Sequence, residues 1–255
     1  MPTLPADTTV RRVQYDAQGL ARTAHLRKPA TEQGSTLGTV VVCTGTAILG
    51  LDPNQPAVEG LETLACELEN GLLDAGYGVV RPEPCPPTSA STEELLSTSA
   101  SLLQAAFAAG GPGGRRVVIG FSAAAPLLAI AASEKPLDVM ILIAPPILEV
   151  YANRPDRVET TLATELGLDA ETAAGLGDLK PLSRAANATP RALVVHGAAD
   201  AVVSCEDSIG WRASLAAAGT NARRLEIAFA GHDLGPASCR SAAVEAMVRF
   251  IAEES

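Results

Sequence analysis

The sequence predicts an α/β fold with a mostly parallel central sheet and helices on both faces, and three features carry that reading. Short apolar, β-branched runs recur at 39–43, 117–119, 139–143 and 192–196. Runs of this kind mark strands buried on both faces, because no polar alternation is left for solvent. Segments of helical apolar period separate them, as in Leu61, Leu64, Ala65, Leu68 and Leu72. Glycine and proline punctuate the junctions, so strand and helix alternate along most of the chain.

Taken in order, Val10–Tyr15 and Leu20–Leu26 read as a β-hairpin turning near Gly19, followed by a polar linker from Lys28 to Gly38. Thr39–Cys43 is the first buried strand and ends in Thr44-Gly45-Thr46. A helix from Val58 to Ala75 stops at Gly76, and Tyr77–Val80 is the next strand, leading into a proline-rich turn at 81–87. Ser91 or Thr92 caps a helix running to Ala109, with acidic residues in its first turn. Gly110–Gly114 lacks the Lys-Ser/Thr of a phosphate loop and precedes a strand, so it is a connector. Beyond Ser122 come a helix to about Ser133 and the strand Val139–Ile143. Residues 147–183 contain helical pieces and no strand, which marks them as a cap-like insertion over one end of the sheet. Strand 192–196, a helix at 206–218, strand 223–228 and a closing helix at 241–254 complete a single domain spanning residues 1–255.

Composition narrows the classes of function. The chain of 255 residues is 47% hydrophobic and 19% charged, the balance of a folded globular protein. A formal charge of −10 with no basic face argues against nucleic acid as a partner. No apolar run is long enough to span a bilayer, so no membrane role is expected. The first residues show no basic segment followed by an apolar one, and the five cysteines (43, 66, 85, 205 and 239) are scattered and odd in number. Both point to reduced thiols in a cytoplasmic protein. No close Cys/His spacing suggests a metal.

The chemistry gathers at strand ends, where ligands bind in such sheets. Gly120-Phe121-Ser122-Ala123-Ala124 places a serine on a sharp strand-to-helix turn, where small neighbours are needed because the backbone is pinched. Asp200 follows the strand at 192–196 in His196-Gly197-Ala198-Ala199-Asp200, and His232 follows the strand at 223–228 in Ala230-Gly231-His232-Asp233. A serine hydroxyl becomes a nucleophile when an imidazole takes its proton, and the imidazole needs a carboxylate to fix its tautomer.

The order Ser…Asp…His, the Gly120-to-Ala124 elbow, the His196-Gly197-x-x-Asp200 strand end and the late Gly231-His232 together resemble the α/β-hydrolase superfamily, in particular its small esterase and dienelactone-hydrolase-like members. The resemblance spans nearly the whole chain. It implies the α/β-hydrolase fold with a small helical cap. By position it makes Ser122 the nucleophile, His232 the general base and then acid, and Asp200 the orienting carboxylate. The oxyanion hole would combine the backbone amides of Ala123 and Thr46. Where the family has His-Gly, this chain has Thr44-Gly45, which together with Ile147 and Tyr151 would meet the substrate. No metal or organic cofactor is implied, and the partner is a small-molecule ester or thioester.

Competing assignments can be ranked. Asp233 is a rival carboxylate, but a sequence neighbour on a tight loop seldom points at the ring beside it. His196 reads as structural and His25 as exposed on the hairpin. Cys43 and Cys205 read as small packing residues, and Glu93-Glu94 as a solvated helix start. The same apparatus with water excluded would transfer or cyclise the acyl group, and a non-catalytic binding protein could keep the fold. The sequence leaves the oligomeric state open.

Overall fold

The hairpin comes first in the computed structural model, which describes residues 8–29, 36–50, 56–85, 91–133, 137–147, 182 and 191–253. Strands β1 (Thr8–Ala17) and β2 (Leu20–Pro29) pair antiparallel around Gln18 and Gly19, both at positive φ, the two-residue turn whose twist suits a hairpin. Both strands outrun the apolar pattern. Lys28, expected in the linker, still pairs with Thr9. The ladder continues because Val13, Tyr15, Ala17, Ala24 and Leu26 supply the buried face, while the other side chains are part-buried or exposed.

β3 (Gly38–Cys43), β4 (Gly78–Pro82), β5 (Arg115–Phe121), β6 (Val139–Ile143), β7 (Arg191–Gly197) and β8 (Asn221–Ile227) follow. The eight strands form one sheet in the order β1-β2-β4-β3-β5-β6-β7-β8. β2 joins β4 antiparallel, and every pairing from β4 to β8 is parallel. Pro82, expected in the turn, is still a strand residue. It can be, because pairing with β3 has ended at Val80 and Pro82 faces only Ala24 of β2, so no second ladder demands its missing N–H.

The helices are α1 (Gly45–Ile48), α2 (Pro56–Asp74), α3 (Thr92–Gly110), α4 (Ala124–Ala132), α5 (Cys205–Ala217) and α6 (Ala237–Ala252). Ser91 caps α3 in a reciprocal capping box with Glu94, which gives that acidic residue its role at the helix start. The closing helix begins at Ala237, earlier than the apolar pattern at 241 suggested.

The central strands divide their side chains between two cores with period two. Val41, Cys43, Val118, Met140, Leu142 and Val194 face α3, α4 and α5. Val40, Val42, Ile119, Ile141, Ile143 and Val195 face α2 and α6. Burial on both faces is why these strands read as unbroken apolar runs. No helix among the described residues is long and apolar enough to cross a membrane.

Candidate active site

Each strand of the parallel set stops at the same edge of the sheet, and three of the stops carry the predicted groups. β5 ends at Phe121, and Ser122 follows with φ of 47°. A non-glycine residue in that region stores backbone strain, which the surroundings must hold. Here the Ser122 amide donates to Ile143 O at 2.8 Å, and Ser122 O accepts from the Ala125 amide at 2.9 Å as α4 begins. Gly120 must be small because a Cβ there would lie 2.7 Å from Ala125 Cα. The elbow's small residue therefore serves the entry of α4 as well as the serine.

The turns after β7 and β8 are stapled together. Ala198 N donates to Ile227 O and Ala199 N to Ala230 O, both at 2.9 Å. A Cβ on Gly197 would lie 2.3 Å from both Ala230 O and Gly231 O, so only glycine lets the loop bearing His232 approach the loop bearing Asp200.

This packing brings the three groups into one relay. His232 Nδ1 lies 2.8 Å from Asp200 Oδ2, and His232 Nε2 lies 2.9 Å from Ser122 Oγ. An ionised carboxylate only accepts, so Nδ1 carries the proton and Nε2 presents its lone pair to the serine hydroxyl. Ser122, His232 and the Asp200 side chain are all buried.

Four donors reach Asp200. Oδ1 accepts from the Val202 and Val203 amides at 2.8 and 2.9 Å, and Oδ2 accepts from His232 and from His196 Nε2, at 3.1 Å. Burial by itself would raise this carboxyl. The bonds from His196 and His232, the electrostatic pull of the His232 ring and the Val203 amide outweigh it and hold Asp200 far below the usual carboxylate range. His196 Nε2 also lies 3.1 Å from Val203 O, a second acceptor, so that nitrogen bears the proton. Its Nδ1 is buried and meets no partner among the described residues. The His196-to-Asp200 contact was not read from the sequence, although the four-residue spacing across a strand end is the signal that could have shown it.

The rival carboxylate faces elsewhere: Asp233 Oδ1 accepts from Gly235 N at 2.9 Å and Oδ2 pairs with Arg240 at 3.1 Å. Cys43 is wholly buried in β3, and burial, with Glu62 nearby, pushes its thiol well above the ordinary range. Cys205 Sγ contacts Arg224 Nη2 at 2.9 Å and Glu226 at 3.5 Å, and burial, with Glu226 beside it, raises its thiol pKa. His25 is part-buried, not exposed, and bonds Glu83 at 2.6 Å.

Beside the serine turn lies the turn after β3, because the register pairs Cys43 with Gly120. Thr44-Gly45-Thr46, expected as a loop, opens the short helix α1. Both threonine hydroxyls bond Glu62 Oε1, and nothing in the local pattern singles out Glu62 or its partner Arg81. The Ile147 amide donates to Asp207, and its side chain packs against Gly210 of α5. Tyr151 and the cap-like insertion, apart from Ile147 and Leu182, lie outside the described residues.

A profile of the prolyl oligopeptidase family matches residues 142–255, a span holding Asp200 and His232 but not Ser122. No curated protein matches the chain. Among solved structures, the esterase domain of a Rhodothermus marinus protein superposes with a TM-score of 0.67 at 17% identity, covering 95% of this chain and 97% of that one. Est1E from Butyrivibrio proteoclasticus superposes with a TM-score of 0.69 at 14% identity, covering 95% and 99%. The acylaminoacyl peptidase of Pyrococcus horikoshii gives a TM-score of 0.69 at 14% identity over 96% of this chain but 41% of its own. Strand order, helix placement and these likenesses together give the chain the α/β-hydrolase fold, that of the superfamily its sequence resembles.

Proposed function

We propose that the chain is a serine hydrolase that cleaves a carboxylic ester or thioester through an acyl-Ser122 intermediate. The observation that carries this reading is the unbroken relay from Asp200 through His232 to Ser122, with contacts of 2.8 and 2.9 Å. Similarity in fold to esterases, and the family profile over the second half of the chain, support the same class.

In this reading Ser122 Oγ attacks the acyl carbon as its proton passes to His232 Nε2. The imidazolium so formed is stabilised by Asp200. The carbonyl oxygen, now negative, is held by the amides of Ala123 and Thr46, each such donor being worth about 3 kcal/mol of barrier. His232 returns the proton to the leaving alkoxide or thiolate as the carbon–heteroatom bond breaks. Water then gives a proton to Nε2, its oxygen adds to the acyl carbon, and the acid leaves as Ser122 regains its hydrogen. Every proton is accounted for by one imidazole, and no cofactor enters.

The test is intact-mass measurement after incubation with a fluorophosphonate, beside Ser122→Ala and His232→Ala, followed by a panel of short esters and thioesters. One adduct on the wild type, absent from Ser122→Ala and strongly slowed in His232→Ala, is expected, with ester or thioester turnover. Labelling with acyl transfer to an added alcohol or amine but no hydrolysis would replace hydrolase by acyltransferase. A folded wild type that neither labels nor turns over would refute catalysis and leave a binding protein.

A further inference from the structure

The turn proposed to hold the oxyanion is anchored by side chains outside the relay. Thr44 Oγ1 and Thr46 Oγ1 both donate to Glu62 Oε1, at 2.5 and 2.7 Å, and stand 2.9 Å from each other. The other oxygen of Glu62 accepts from Arg81 Nη2 at 2.6 Å. Arg81 in turn reaches Glu69 at 3.3 Å and Cys66 Sγ at 3.0 Å, and Glu69 takes a close bond from Arg27. The chain of contacts thus runs from the hairpin strand β2, through β4 and α2, to the first residues after β3. Burial works against the charge on Arg81, but Glu62, Cys66 and Glu69 around it offset this and raise its pKa.

Two physical points follow. A carboxylate that accepts two hydroxyls on one oxygen and a guanidinium on the other is held in one orientation, so the threonines are held too. Both threonines are themselves buried, and Thr46 lines a cavity of about 430 Å³ together with Glu62, Cys66, Glu69 and Arg81 among others. Ala47, Ile48 and Leu49 pack α1 into the core and the Cys85 amide holds Thr46 O at 3.0 Å, while on the side that faces the cavity the turn is held by the anchor at Glu62.

We propose that Glu62, clamped by Arg81, is a positioning residue that sets the Thr46 backbone amide against the developing oxyanion through Thr44 and Thr46. That role rests on the reading that Ser122 forms an acyl intermediate.

The prediction separates positioning from stability. In Glu62→Ala the turn is released, and misplacing a catalytic donor by an ångström costs about 10²-fold in rate. kcat and the fluorophosphonate labelling rate should therefore fall about 10²-fold, with KM within about threefold of wild type, because a donor to the oxyanion contributes mainly in the transition state. Glu62→Gln keeps an oxygen for both hydroxyls but turns an NH2 toward Arg81, so it should retain the threonine bonds, lose the clamp and give a rate between Glu62→Ala and wild type. Arg191→Met, which weakens the far end of the sheet, serves as a stability control and should lower Tm without lowering kcat. Thr46→Val removes one hydroxyl at nearly constant volume and should lower kcat while remaining folded, so the proposal stays testable if Glu62→Ala does not fold.

The proposal is overturned if folded Glu62→Ala or Thr46→Val keeps wild-type kcat, or if Arg191→Met, with a comparable loss of Tm, loses as much kcat as Glu62→Ala. If the wild type itself neither labels nor turns over, the acyl-enzyme reading fails and the clamp falls with it. Wild-type labelling that is lost in Ser122→Ala and unchanged in Glu62→Ala refutes the clamp alone.

Discussion

Replacing Asp200 by Asn tests the relay most sharply, because the geometry says what each atom of the new side chain must do. The Asn carbonyl takes the place of Oδ1 and keeps accepting the Val202 and Val203 amides, at 2.8 and 2.9 Å in the parent. The NH2 group then replaces Oδ2, which in the parent accepts from His232 Nδ1 at 2.8 Å and His196 Nε2 at 3.1 Å. A donor now faces Nδ1, so His232 must bear its proton on Nε2, aimed at Ser122 Oγ from 2.9 Å. In that tautomer the ring cannot take the serine proton. The expected loss is about 10⁴-fold in kcat, or about 5.5 kcal/mol of transition-state stabilisation. The assay is the second-order rate of fluorophosphonate labelling read by intact mass, with circular dichroism and a thermal melt to show that the variant is folded. Asp233→Asn, made alongside, should keep the wild-type rate, since Asp233 points at Gly235 and Arg240. A folded Asp200→Asn within tenfold of wild type would refute the tautomer argument, and a large loss in Asp233→Asn would show that the wrong carboxylate had been named.

The other predictions concern what holds the relay in place. His196→Phe fills the ring's space and removes one donor from Asp200. It should raise the Asp200 pKa toward its ordinary value and lower stability at pH 7 by about 1–2 kcal/mol in urea denaturation. Because the folded Asp200 pKa is depressed, its contribution to wild-type stability is present above the unfolded value of about 3.9 and is lost as pH falls through the folded value. Urea midpoints measured from pH 7 down to pH 3 should therefore fall with acid less steeply in His196→Phe than in wild type. Gly197→Ala places a methyl 2.3 Å from two carbonyl oxygens of the His232 loop, so both Tm and labelling rate should drop sharply. Arg191→Met removes buried bonds of 2.7 and 2.8 Å to the carbonyls of Glu253 and Phe250 and should cost about 2–4 kcal/mol, read as a lower urea midpoint with unchanged labelling.

The strands that form the centre of the sheet were legible because burial on both faces leaves an unbroken apolar signature, and β3, β5, β6 and β7 all carry it. Their ends were less legible. Arg115, Arg116, Gly120 and Phe121 extend β5 through backbone pairing that no apolar pattern announces. Ser122, Asp200 and His232 could be found because each follows a strand and the three chemistries belong together. Glu62, Arg81 and His196 could not be found in that way. Glu62 sits in the polar stripe of an amphipathic helix, where a solvated surface residue looks the same, and its partners lie on other elements. Contacts that depend on where a helix lands on a sheet are absent from local pattern.

The relay and its supports also differ in what maintains them. Ser122 is held by backbone, through the elbow strain and its bonds to Ile143 and Ala125. Asp200 is held by a mixture, two backbone amides on one oxygen and two imidazoles on the other. The turn bearing Thr46 combines a backbone anchor, the Cys85 amide on Thr46 O at 3.0 Å, with the side-chain anchor at Glu62. Backbone anchors tolerate most substitutions around them, since the amides remain whatever the side chain is, whereas a side-chain anchor is lost in one step. Loss of the side-chain anchor should therefore be felt at the turn proposed to hold the oxyanion, and single substitutions on α2 and β4, well away from the relay in sequence, should reach the chemistry by that route.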